Sequence, residues 1–254
     1  MSGPAVLERL DKILSNNGCG SRADVRKLIR TGAVTCDGDV VRGPERKFDA
    51  NATRIAVGGS LLRYEKYIYL MMNKPEGVIS ASNDPERRTV VDLLPERYRL
   101  RKPFPAGRLD ADTTGLLLLT DDGDFAHRIL SPKKHVEKEY IARLDTAPDA
   151  DTVKGFERGV ILKDGIRLRP AKLTPVNPGH TYNASGAAAR VVLTEGKYHQ
   201  VKRMFSAYGI RVTGLTRVRM GPVVLDPDLV PGGFRELTAS EICSLCNLTG
   251  KENT

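Results

Sequence analysis

Between residues 107 and 123 the chain reads Gly-Arg-Leu-Asp-Ala-Asp-Thr-Thr-Gly-Leu-Leu-Leu-Leu-Thr-Asp-Asp-Gly. Two carboxylates, Asp110 and Asp112, stand just before a strongly apolar run. A carboxylate at the mouth of a buried strand is desolvated enough to act as a nucleophile or a base, provided a cation keeps it ionised. Arg108 is the local candidate for that cation. Pattern alone leaves Asp110 open to both a catalytic and a structural reading. Asp121, Asp122 and Asp124 suggest a calcium loop, but the required spacing and terminal Glu are missing, so Asp121 to Gly123 reads as a tight turn.

The other chemistry-bearing residues are weaker. Cys243-Ser-Leu-Cys246 has the spacing of half a zinc site, yet no second pair follows, and unligated thiols are the simpler reading. The 4 histidines are dispersed, with no acidic partner pattern to support a histidine-centred hydrolase or a zinc deaminase. His127 reads as structural, His135 as an RNA contact or the lead into a strand, and His180, in Pro178-Gly-His, as a loop residue.

Composition bounds what must hold these groups. At 254 residues the chain makes one to two domains. With 40% hydrophobic and 28% charged residues it has the balance of a soluble globular protein, and a net charge of +9 gives a mild preference for polyanions. A fibrous protein, a membrane span and a disulfide scaffold are excluded. The 4 cysteines are too few and too unevenly placed for a secreted framework, which points to reduced thiols in the cytoplasm. The N-terminus has no basic region or apolar core of a signal peptide.

Residues 7–16 predict a helix with Leu7, Leu10, Ile13 and Leu14 on one side. Ser21-Arg-Ala-Asp24 reads as a capping box that opens a second helix, with Val25, Leu28 and Ile29 inward and Gly32 at its end. Ala33 to Val41 predict a hairpin about Asp37-Gly38, and Thr53 to Val57 a further strand. The second helix clusters Arg22, Arg26, Lys27 and Arg30, a pattern that fits either phosphate contact or a solvated face. Residues 1–60 thus form a small helix-helix-hairpin domain. Gly58-Gly59-Ser60 reads as a hinge and 61–66 as a linker.

Beyond the linker, residues 67–248 read as one larger domain, followed by a frayed tail over 249–254. Ile68 to Met72 predict a buried strand and Asn73 to Gly77 a turn, after which Val78 and Ile79 resume extended structure. Val90 to Leu94 carry a short helix signal stopped by Pro95. Leu116 to Leu119 predict a central strand, Phe125 to Leu130 a helix, Lys138 to Leu144 and Ala189 to Leu193 strands, and Val201 to Tyr208 a helix. Strands and helices without regular alternation argue α+β rather than a doubly wound sheet.

Two resemblances sharpen this reading. Arg9-Leu-Asp-Lys-Ile-Leu, Gly18 to Arg30 and Gly32-Ala-Val-Thr-Cys-Asp-Gly resemble the S4 RNA-binding domain. Gly107-Arg-Leu-Asp110 with Thr113 to Gly123 resembles the signature of the RsuA-type pseudouridine synthases. Met72-Asn-Lys-Pro-Glu-Gly77, Glu137-Lys-Glu-Tyr140 and Glu195 to Phe205 are similar to further motifs of that family, in the same order. Together they cover nearly the whole chain.

The resemblance implies a mixed, mainly antiparallel catalytic sheet and isomerisation of uridine in RNA without cofactor or metal. Asp110 matches the family's catalytic aspartate, Tyr140 the tyrosine that packs against the target base, and Lys202 the cation that pairs with the aspartate. Arg203 is the alternative cation, with Lys202 preferred. Arg108, His199, Gln200 and Arg203 are expected at the substrate, although hydrogen bonding within the protein is an equal reading for His199 and Gln200. Arg22, Arg26, Lys27 and Arg30 are expected to contact RNA. The closest likeness, from Ala81 to Val90, Gly107 to Gly115 and Phe156 to Val160, is to the small-subunit branch. The expected partner is therefore 16S ribosomal RNA, in a partly assembled small-subunit particle, with no membrane and no obligate protein partner. The alternatives are a 23S target and a non-catalytic assembly factor, whose mark would be loss of Asp110, Tyr140 or Lys202; none is lost.

Overall fold

The computed structural model describes residues 7–176 and 187–250. The expectations for residues 1–6, for the loop holding His180 and for residues 251–254 lie outside the described residues. Contacts group the chain into two compact units. One runs to Ile68 and takes in Val91–Phe104; the other comprises Tyr69–Val90 and the chain from Pro105 onward.

The first unit is built as its sequence predicts in most of its parts. The capping box is present: the Ser21 hydroxyl accepts from the Asp24 N–H at 3.3 Å, and the Asp24 carboxylate accepts from the Ser21 N–H at 3.1 Å. The helix Arg22–Arg30 buries Val25 and Ile29 against Leu10, Ile13 and Leu14 of the helix Leu10–Asn16. Leu7 departs from expectation. It belongs to a strand, Leu7–Arg9, paired antiparallel with Lys47–Asp49, and strand geometry sends its side chain into solvent.

The hairpin of Val34–Cys36 and Asp39–Val40 turns at Asp37 and Gly38, with φ of 53° and 95°. Two successive left-handed residues match the twist of the flanking strands. The expected hinge is corrected by the same geometry. Gly58 and Gly59 form a tight turn that joins Ile55–Val57 to Ser60–Leu61 in one antiparallel ladder. The chain after it is tied down, since the Glu65 N–H donates to Asn17 and the Arg101 guanidinium donates to the Glu65 and Lys66 carbonyls.

The second unit is an α+β fold on a mixed, mainly antiparallel sheet. Its main path runs Lys172–Val176, Ala187–Leu193, Lys138–Leu144, Val212–Met220, Thr113–Thr120, Tyr69–Lys74 and Phe234–Glu236. Only Val212–Met220 and Thr113–Thr120 run parallel along this path. The four leucines 116–119 are all buried, as a strand covered on both faces requires. Asp122 does more than make a turn: its carboxylate accepts from the Phe125 N–H at 3.0 Å and starts the helix Gly123–Leu130.

Several elements differ from the sequence reading. Asn73 and Lys74 extend their strand, and the turn begins at Pro75. Val91–Leu93 make one turn of 3-10 helix. The helix Ala239–Thr249, opened by a Thr238–Glu241 capping box and closed at Gly250, occupies the start of the expected tail. The helix Ala150–Arg158 and the strands Lys172–Val176, Val212–Met220 and Phe234–Glu236 were not legible in the sequence. No described helix is long and apolar enough to cross a membrane.

Candidate active site

A cleft of about 270 Å³ opens in the second unit, lined by Arg108, Asp110, Thr113, Tyr140, His199 and Lys202 with neighbouring residues. Asp110 sits in the turn that enters the strand Thr113–Thr120, its carbonyl accepting from the Thr113 N–H at 3.1 Å. That turn is clamped from both sides. The Ser80 hydroxyl donates to the Leu109 carbonyl at 2.9 Å and accepts from the Leu109 N–H at 3.0 Å. Lys74, fully buried, donates to the carbonyls of Pro75, Ala111 and Thr113 at 2.9, 3.2 and 2.9 Å. Burial pushes the Lys74 ammonium down to about 8, against the pull of Asp112 and Asp110.

Tyr140 lies on the strand Lys138–Leu144 and is 8% exposed, its ring forming part of the cleft wall. Its cross-strand neighbour is Arg217, nearly fully buried, whose Nε donates to the Leu116 carbonyl at 2.8 Å. The parallel pairing beside it needs a glycine. Gly115 has φ of +97°, and a Cβ there would stand 2.2 Å from the Arg217 carbonyl oxygen. Thr113, which lines the cleft, has a buried hydroxyl with no hydrogen-bond partner among the described residues.

The opposite wall is the start of the helix Gln200–Ser206. Lys202 Nζ stands 3.4 Å from Asp110 Oδ2 and 2.5 Å from Asp112 Oδ1. The Lys202 ammonium holds the Asp112 carboxyl below the usual carboxylate range. Arg203 turns elsewhere, to an ion pair with Asp164. His199, in a left-handed conformation, places Nε2 3.6 Å from Asp110 Oδ1. Gln200 lines the cleft and is also bonded within the protein, its Oε1 accepting from the Lys197 N–H and its Nε2 donating to Glu195, both at 2.8 Å. Arg108 is exposed at the rim.

The structure thus gathers Asp110, Tyr140, Lys202, His199, Gln200 and Arg108 around one cleft and leaves Arg203 outside its lining. Sequence reasoning did not single out Lys74, Ser80, Thr113 or Tyr198. Lys74, Thr113 and Tyr198 each stood inside a motif quoted for the family resemblance, Asn-Lys-Pro, Thr113 to Gly123 and Glu195 to Phe205, whereas Ser80 carried no signal. His127 is exposed on its helix, and His135 lies 3.3 Å from Arg169 Nη1, ahead of the strand. Cys243 is exposed and Cys246 buried, both on the last helix. An ionised carboxylate beside an ammonium in an open cleft can attack an electron-poor carbon or remove a proton.

On the first unit, Arg22, Arg26, Lys27 and Arg30 are all exposed along one helix. They are not equivalent. Arg26 Nε lies 3.2 Å from Asp11, whose buried carboxylate also takes Arg9 at 2.9 Å. Together these guanidinium groups hold the Asp11 carboxyl below its usual range.

Comparison with known proteins agrees with this arrangement. Residues 68–207 match the RNA pseudouridylate synthase family, and residues 8–53 match the S4 domain. The chain is 46% identical over 235 residues to the Bacillus subtilis uncharacterized RNA pseudouridine synthase YtzG, covering 92% of this chain and 96% of the relative. It is 41% identical over 238 residues to ribosomal small subunit pseudouridine synthase A of Escherichia coli, covering 93% and 99%. A crystal structure of a pseudouridylate synthase superposes with a TM-score of 0.65 at 36% identity, covering 93% of this chain and 99% of that one. With family motifs, S4 unit and cleft on one chain, this protein belongs to the RNA pseudouridine synthase family and is an enzyme of that class.

Proposed function

We propose that this enzyme isomerises a uridine of 16S ribosomal RNA to pseudouridine in the cytoplasm, through Asp110. The observation that carries the assignment is the Asp110 carboxylate at the cleft, 3.4 Å from the Lys202 ammonium and with Tyr140 in the same lining. Likeness over nearly full length to small-subunit synthases supports the choice of RNA. The unit that runs to Ile68 and takes in Val91–Phe104 carries the RNA-binding module, and the unit of Tyr69–Val90 and the chain from Pro105 onward is the catalytic domain.

The reaction breaks the N1–C1′ bond, turns the uracil and joins C5 to C1′; the C5 proton moves to N1, so atoms balance without a co-reactant. Cleavage leaves electron deficiency on the sugar. Asp110 answers it either by adding to C1′ or by taking the C2′ proton, and both routes need the carboxylate ionised. Lys202 keeps it so. Tyr140 offers the detached uracil a plane on which it rotates without leaving. The base enters by flipping out of its stack, which costs a few kcal/mol drawn from contacts to the surrounding RNA. Arg108 at the rim receives the displaced backbone, while His199 and Gln200 shape the pocket wall.

The test is pseudouridine mapping by carbodiimide treatment and reverse transcription, on ribosomal RNA from cells lacking the gene and cells with it restored. One stop in 16S RNA should vanish and return. The Asp110→Asn protein should fail to restore it; normal modification by that variant would reject the assignment. A stop that changes in 23S RNA instead would move the target.

A further inference from the structure

We propose that the Tyr198 ring is a second stacking platform, which receives an RNA base adjacent to the target uridine. The proposal rests on the reading of the cleft as a uridine site. Tyr198 is 76% exposed, the highest value among the large hydrophobic residues described, yet it lines the rim of the Asp110 cleft. Tyr140 is 8% exposed in the wall of the same cleft. The two rings therefore offer one enclosed plane and one open plane. A cleft of about 270 Å³ suits a single nucleoside, so a second base has its place outside, at the rim.

The open ring is preorganised. It stacks on the His199 imidazole with centroids 3.9 Å apart and planes at 16°, so that one face is covered and the other meets solvent. His199 is itself held in a left-handed turn at φ of 47°. Gln200 pins the loop on both sides through Lys197 and Glu195. A rigid aromatic with a free face loses little entropy when a base lands on it, and it accepts any base because each has a π-face.

Charge at the rim fits the backbone on either side of such a base. Arg108 and Lys197 are both exposed, and neither has an ion pair among the described residues. Lys202 and Arg203, by contrast, are committed to carboxylates. Free cations beside an exposed ring form the usual pattern of single-strand recognition, in which phosphates are held and bases stack. Once the target nucleotide has left its helix, its neighbour has lost a stacking partner, and Tyr198 supplies a replacement.

The test uses the full-length enzyme and an RNA transcript spanning the mapped uridine, with 2-aminopurine at the nucleotide on one side or the other. With the wild type, one of these probes should be quenched on binding. With Tyr198→Ala the same probe should brighten instead. KM should rise on the order of tenfold, with kcat within about twofold of wild type. Tyr198→Phe, which keeps the plane, should restore both the quench and KM. Unchanged fluorescence and KM in Tyr198→Ala, with the wild type active, would overturn the platform alone. A wild-type enzyme that forms no pseudouridine in the transcript, bare or carrying small-subunit proteins, would overturn the reading of the cleft as a 16S uridine site and the platform with it.

Discussion

Lys202 stands nearer to Asp112 than to Asp110, at 2.5 Å against 3.4 Å, so the ammonium beside the candidate catalytic carboxylate is shared with a more exposed one. Asp112→Asn should release Lys202 toward Asp110 and remove a competing negative charge, and kcat should not fall. Lys202→Met should leave Asp110 without its neighbouring ammonium and lower kcat on the order of a hundredfold. Steady-state rates of the two variants on the RNA transcript check both directions.

Lys74 braces the Asp110 turn through three carbonyls while burial lowers its own ammonium to about 8 from 10.5. Between those values the unfolded chain holds a proton that the folded protein has given up. Stability should therefore rise with pH across that window through this group. Lys74→Met should lose the rise and, by leaving buried acceptors unpaired, cost about 3 kcal/mol. Urea unfolding of both proteins at neutral and alkaline pH measures it as a difference.

Glu241 is held by Arg235 at 2.9 Å and caps its helix through Thr238. Its carboxyl falls from 4.5 to about 2, mainly because of the hydrogen bond from Arg235. The stabilisation is complete above the unfolded value and is lost as pH falls toward the folded one. Glu241→Gln keeps a side chain able to cap. It should cost about 2 kcal/mol at neutral pH, after allowance for solvent screening, and almost nothing near the folded value. Denaturant midpoints against pH follow the loss.

The four cations of the helix Arg22–Arg30 should separate into two groups. Replacing Arg22, Lys27 and Arg30 with Gln should weaken RNA binding and reduce the salt slope by about two, with little change in stability. Arg26→Gln should destabilise the first unit, because Asp11 is buried and loses one of its two guanidinium partners. Filter binding across a salt series, with thermal unfolding beside it, distinguishes them. Equal salt slopes in the triple variant and the wild type would leave these residues as a solvated face.

Local signals carried much of the fold. The Ser21–Asp24 box, the Asp37-Gly38 turn and the leucine strand were readable because each depends on residues a few positions apart. The misreadings share one cause, which is strand pairing that no residue announces by its own type. Leu7 pairs with Asp49 and so leaves the helix pattern. Gly58-Gly59 turns a hairpin because Ile55–Val57 has Ser60–Leu61 to pair with. Val212–Met220, interleaved with Thr213, Thr216, Arg217 and Arg219, lacks a clean alternation because it lies inside a sheet with neighbours on both sides.

The sequence by itself determined the motifs and their order, and with them the family and the class of chemistry, since residue identity and spacing are written along the chain. It could not say which of two adjacent cations meets Asp110. Successive helical residues point about 100° apart, so Lys202 and Arg203 cannot both face the cleft. Only the packed structure turned Lys202 inward and gave Arg203 to Asp164. The tertiary fold alone also set Lys74 beneath the Asp110 turn and Tyr198 at its rim, because both placements come from strands and loops that are remote in sequence and meet only when the sheet closes.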